Sequence, residues 1–160
     1  MNVSIVERPE LRAAVLKVEC DGSQVRQAWR QLEGLMEGKS ARLNEDYGHV
    51  FIPEWQWPTG VKTLWVGVEV PSYDDMPEEL ERLIIPARTF ATLTIKGDRK
   101  QMDAAYRFLN EWFQTEKYER DMSDGAFGFE ANRLKPINPF HIAADVIDFF
   151  DFDIYAPIKL

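Results

Sequence analysis

A chain that carries one pattern twice has to fold as two copies of one unit, and this sequence repeats itself at a spacing of 77 residues. Pro9 to Met36 lies over Pro86 to Phe113 without a gap, and eight of the 28 aligned positions are identical. The identities are Pro9/Pro86, Ala14/Ala91, Leu16/Leu93, Asp21/Asp98, Gln24/Gln101, Ala28/Ala105, Arg30/Arg107 and Leu32/Leu109. The chemistry repeats with the letters. Asp21 and Asp98 each stand three residues before a glutamine, Gln24 and Gln101. That is the pattern of a helix-opening capping box, in which the first side chain accepts from a free helix N–H and the glutamine reaches back. Apolar residues then recur at helical spacing. They are Val25, Ala28, Trp29, Leu32, Leu35 and Met36 in the first copy, and Met102, Ala105, Tyr106, Leu109, Trp112 and Phe113 in the second. Each stripe predicts one amphipathic helix laid on a sheet, and Gly38 is placed to stop the first.

An alternating strand precedes each helix, with Ala14, Leu16 and Val18 on one face in the first copy and Ala91, Leu93 and Ile95 in the second. Two strand-like runs follow each helix: Tyr47–Ile52 and Thr63–Val70, then Ala126–Leu134 and Asp153–Lys159. Prolines 53, 58, 71, 77, 86, 136 and 139 punctuate the ends, where a missing N–H does least harm. Pro71–Glu81 is acidic and reads as a connector, and Val3–Glu7 reads as a short edge strand. The expectation is an α+β fold of two strand–helix–strand–strand units, about 1–76 and 77–160, related by a pseudo-twofold. Its antiparallel sheet carries helices on one face and a groove on the other.

Composition narrows the partners. The net charge is −8, from 19 basic and 27 acidic residues, and neither half carries a basic stripe. Phosphate backbones are bound mainly by clustered Lys and Arg, so direct nucleic-acid binding is not expected. No stretch reaches the ~20 apolar residues that cross a bilayer, and the N-terminus lacks the blocks of a signal peptide. The single cysteine, Cys20, makes no internal disulfide, which fits a reducing cytoplasm. Cys20, His49 and His141 are too scattered for a metal site, and no cofactor is expected. Glycines do not cluster into a phosphate cradle.

If the helices cover one face, the alternate residues of each strand face away from them. On Thr63–Val70 that turns Trp65, Gly67 and Glu69 outward, and on the last strand Asp153, Tyr155 and Pro157. The strand around Ala91 presents Phe90, Thr92 and Thr94, and the run from Tyr47 presents Tyr47, His49 and Phe51. On Phe127–Asn132 the apolar set Phe127, Phe129 and Ala131 is expected to seek the helices, turning Gly128, Glu130 and Asn132 away. This collects Tyr47, Phe51, Trp65, Phe90 and Tyr155 around two carboxylates, Glu69 and Glu130. Large aromatics on such a face mean a pocket, or else rings packed together as core. Glu130 argues for the pocket, because a carboxylate within an apolar strand is costly unless something pairs with it. Glu69 reads more simply as a solvated edge position. Trp55-Gln-Trp57-Pro58 fits a lid over the core or a rim of the groove, and Asp145–Asp153 reads as a mobile approach to the last strand.

These features resemble the GyrI-like small-molecule-binding domain, the effector-binding part of AraC-type and MerR-type multidrug regulators. The resemblance rests on the duplicated unit, Ile85-Pro86-Ala87 leading into the second copy, the helix through Tyr106 to Glu111-Trp112, the Phe129-Glu130 dipeptide and the closing Ile154-Tyr155-Ala156-Pro157-Ile158. It implies a groove lined by aromatics, in which the glutamate matching Glu130 contacts lipophilic cations. It also implies a link to relatives that hydrolyse cyclopropane-bearing genotoxins with that glutamate and a tryptophan, for which Trp65 is the candidate here. The family often has a tyrosine two residues after the glutamate, where this chain has Asn132. No helix-turn-helix precedes the domain, so the chain resembles a stand-alone member. The leading expectation is a protein that sequesters or senses a small amphipathic or cationic molecule through Glu130, Trp65, Tyr155, Phe90, Tyr47, Phe51 and Glu69. The alternatives are a hydrolase of strained, cyclopropane-type toxins with Glu130 as general base, and a protein-interaction inhibitor of the gyrase type whose partner is unknown.

Overall fold

The computed structural model describes residues 1–38 and 42–160. Along the chain run β1 (Ser4–Arg8), β2 (Leu11–Glu19), α1 (Gly22–Met36), β3 (Tyr47–Pro53), β4 (Thr63–Glu69) and β5 (Glu81–Ile85). Then come β6 (Arg88–Gly97), α2 (Arg99–Thr115), β7 (Glu119–Arg120), β8 (Phe127–Arg133) and β9 (Phe150–Lys159). The strands pair antiparallel in the order β1-β6-β9-β8-β3-β4-β2-β5, and β7 adds to the end of β9. The two units meet at the centre, where β3 pairs β8.

The edges show how deep the repeat runs. The same 77-residue shift that aligns the helices carries β1 onto β5, yet each of these strands pairs with the opposite unit, β1 with β6 and β5 with β2. The registers correspond residue by residue. Ile5 faces Ala91, and their repeat equivalents Arg82 and Ala14 also face each other. Only Pro9 and Glu10 separate β1 from β2, although the two strands stand six places apart in the sheet. In a flat sheet that separation would be about 29 Å, against roughly 10 Å for the connecting chain. The sheet must therefore curl until its ends approach, and the result is a half-barrel.

Its concave side is one continuous core. Side chains from all eight strands of the main sheet enter it, including Val6 of β1, Leu83 of β5, Phe51, Phe90, Phe129 and Tyr155. The convex side carries two separate cores, one per helix. Under α1, Trp29 and Leu32 pack on Val50 and Val66, and under α2, Leu109 packs with Leu93 and Ile154.

Local chemistry follows the sequence with two departures. Asp98 and Gln101 form the full reciprocal capping box. In the first copy Asp21 accepts from the Ser23 N–H, while the Gln24 side chain reaches back to the Glu19 N–H. The second departure concerns 145–153, expected as a mobile approach: β9 already begins at Phe150. The alternation explains it. Phe150 and Phe152 turn to the α2 core, while Asp151 and Asp153 turn the other way and both pair with Arg133.

Candidate functional site

The central strand decides where the site lies. Glu130 faces Val50 on β3 and Ile154 on β9, which belong to the α1 and α2 cores. Its side chain is thus on the helix side of the sheet, opposite to the expectation, and Phe129 and Ala131 point into the concave core. The reason is that both faces of β8 are buried, so apolarity alone does not tell them apart. The concave core takes the aromatic set. The helix-facing positions Gly128, Glu130 and Asn132 fall along the seam between the helices, where neither apolar stripe reaches.

The seven expected site residues are therefore split by the sheet. Trp65, Tyr155, Phe90, Tyr47 and Phe51 share the concave core, with Glu69 at its rim. Much of that face is closed. Phe51, Phe90 and Phe129 are buried, with Phe129 centred 5.7 Å from Phe51 and 5.6 Å from Phe90. Tyr155 stacks on Phe129 at 4.6 Å. Glu130 stands alone on the convex side.

There it borders a cleft of about 210 Å³ between the N-terminal ends of the two helices. The walls are largely apolar: Val25 from α1, Met102 from α2, Leu64, Val50, Phe150 and Phe152 from the sheet, and Phe140 and Ile147 from the closing segment, residues 134–149 between β8 and β9. Cys20 and Asn132 also border it. Arg26 binds the carbonyls of Gly22, Pro139 and Ile142, which ties the closing segment to α1. The surface that Glu130 keeps is turned to this cleft. Burial alone lifts its carboxyl to about 7, because low-dielectric surroundings penalise the charged form.

Sequence reasoning missed the residues that hold Glu130. The Tyr106 hydroxyl donates to Glu130 Oε2. Trp57 lies against Tyr106, with ring centres 6.4 Å apart. The guanidinium of Arg120 sits 5.1 Å over the Trp57 ring and forms a two-pronged bridge, 2.9 and 3.2 Å, to the buried Glu54. Burial raises the Glu54 carboxyl while Arg120 pulls it down. A signal for Tyr106 existed: it is the repeat equivalent of Trp29, and it alone in the α2 stripe carries a hydroxyl. Trp29 spends the position on packing, stacked at 4.6 Å on Phe140 and lying over Gly48. Trp65, the tryptophan expected beside Glu130, lies across the sheet from it, and Trp57 is the one on the Glu130 side.

A curled antiparallel sheet with paired helices and a carboxylate at the seam invites comparison with known proteins. The family model for the GyrI-like small molecule binding domain matches residues 1–126. The chain belongs to that family. The match ends before β8, so the reading of Glu130 rests on its surroundings. No curated protein matches the chain in sequence. Among solved structures it is similar to SAV2435 bound to tetraphenylphosphonium, with 14% identity, a TM-score of 0.65, and coverage of 99% of this chain and 94% of that one. The EcmrR C-terminal domain gives 15% identity, a TM-score of 0.70 and coverage of 99% and 97%. A hydrolase from Listeria innocua gives 9% identity, a TM-score of 0.59 and coverage of 98% and 91%. At these identities the likeness is one of fold. Among the described residues of this GyrI-like chain, no helix is long and apolar enough to cross a membrane.

Proposed function

We propose that this GyrI-like domain binds a small lipophilic cation in the cleft between α1 and α2, with Glu130 as its counter-charge. The observation that carries this reading is a carboxylate placed beneath an apolar cleft with no cationic partner among the described residues. Its burial cost is relieved when a positive ligand arrives, and the walls supply the apolar and aromatic area that such a ligand needs. Phe140, Phe150 and Phe152 add cation–π attraction of about 0.5–2 kcal/mol for each good contact. The net charge of −8 favours the approach of cations. The solved relative bound to tetraphenylphosphonium supports the choice of ligand class. Calorimetric titration with tetraphenylphosphonium tests it: Glu130→Gln loses at least tenfold in affinity, and Trp65→Leu, on the other face, leaves it within twofold. Equal binding by wild type and Glu130→Gln would remove the glutamate from the reading.

A second reading is favoured by the Tyr106–Glu130 hydrogen bond. A carboxyl lifted to about 7 is close to the value suited to proton transfer at neutral pH. In that case Glu130 takes a proton from water as the water oxygen bonds to one carbon of a strained electrophile such as a cyclopropane, the strained C–C bond breaks, and the carbon it releases takes up the proton from the carboxyl. Product formation by wild type, lost in Glu130→Gln, selects this reading. Reversible binding without product selects the first.

A further inference from the structure

The second cavity of interest lies across the sheet from Glu130, at the rim of the concave core. It measures about 230 Å³ and is bordered by Arg8, Tyr47, His49, Glu69, Asp153 and Tyr155. At roughly 30 Å³ per water it has room for about seven waters, the size of one amino acid. Asp153 is already committed, to Arg133 and to the Thr94 hydroxyl. Arg8 is not, and Glu69 meets only a histidine among the described residues.

The Arg8 side chain makes no ion pair or hydrogen bond among the described residues. Its guanidinium is held instead over the Tyr155 and Phe129 rings, 4.7 and 5.3 Å from their centres. Stacking of that kind fixes the guanidinium plane and leaves its N–H fork unused. Glu69 has no Lys or Arg partner among the described residues and pairs instead with His49, Nε2 at 4.0 Å from Oε2. His49 is 4% exposed, and burial holds its ring neutral. One cavity thus holds an unspent cationic fork and a carboxylate whose pairing, among the described residues, is with a buried histidine alone. Leaving such groups unmatched is costly.

We propose that this cavity is a binding site for a small zwitterion of the amino-acid class, its carboxylate on the Arg8 fork and its ammonium on Glu69. An ammonium donates to the carboxylate oxygens of Glu69, and a carboxylate accepts two parallel N–H bonds from Arg8. A purely anionic ligand would meet Glu69 and Asp153, and a purely cationic one would leave Arg8 unmatched. The site is independent of the cleft that holds Glu130.

Calorimetry with three matched probes tests it: L-phenylalanine, 3-phenylpropionate, which lacks the ammonium, and 2-phenylethylamine, which lacks the carboxylate. L-Phenylalanine binds, and each single-charge analogue binds roughly tenfold more weakly or worse. Arg8→Gln and Glu69→Gln each lose a similar factor, with circular dichroism confirming that both variants are folded. Glu130→Gln stays within twofold of wild type. Three outcomes overturn the proposal: no binding of L-phenylalanine, 3-phenylpropionate binding as tightly as L-phenylalanine, or binding that is lost in Glu130→Gln and kept in the Arg8 and Glu69 variants.

Discussion

Glu130 shows how one side chain can be costly for the fold and useful for the site. Its carboxyl titrates at about 7 in the folded chain, above the ordinary value of 4.5. Below the lower value it is protonated in both folded and unfolded chains and costs nothing. As pH rises from about 4.5 to about 7 the unfolded chain binds fewer protons than the folded one, and stability falls, levelling above that window. Urea denaturation below pH 4.5 and near pH 8.5 is expected to show Glu130→Gln matching wild type at the lower pH and exceeding it at the higher. The Arg120–Glu54 bridge under Trp57 makes the opposite case. Arg120→Met leaves a buried carboxylate unpaired and is expected to lose about 3–5 kcal/mol in the same assay, much of it recovered when Glu54→Gln is added. The sequence did not show this bridge, because its partners lie 66 residues apart and no local pattern links them.

At the scale of elements, what local physics dictates could be read directly. Both helices, both Asp caps and the three main strands of each half follow from capping chemistry and periodicity. What tertiary context decides could not. The facing of β8 depends on whether the concave or the convex core claims its aromatics, and alternation alone is symmetric between the two. β5 escaped notice because Glu81–Ile85 shares no identical residue with Ser4–Arg8, although the structure makes the two strands equivalent. The α2 cap can be tested as an element. Asp98→Ala removes half of the capping box and is expected to cost about 1 kcal/mol. Because α2 carries Tyr106, the same change is expected to weaken cation binding in the cleft. Gly128 is a second element-scale constraint. A Cβ there would lie 2.0 Å from Glu54 Oε1 and 2.8 Å from the Tyr155 carbonyl oxygen, so Gly128→Ala is expected to lower the melting temperature.

At the scale of the molecule, the exchange of edge strands ties the two units together. β1 belongs to the first unit by sequence and completes the sheet of the second, and β5 does the reverse. Neither half therefore has a finished sheet alone. Removing residues 1–8 strips the edge of β6 and uncovers the concave core beside Phe90. A loss on the order of 3 kcal/mol is expected from the missing backbone pairs and the exposed Val6 contact, together with self-association through the bare edge, read by light scattering. The same architecture leaves two cavities back to back, one for each proposed ligand. The convex seam opens between the N-terminal ends of the two helices, and the rim cavity remains where the concave core runs out of rings.

The most direct test of the whole account is the affinity for tetraphenylphosphonium as a function of pH, from about 5 to 9. A counter-charge that ionises near 7 predicts affinity rising by up to tenfold per pH unit below that value and levelling above it, with a flat profile in Glu130→Gln. A profile that is flat in the wild type, or equally steep in Glu130→Gln, would contradict a cation site built on that carboxylate.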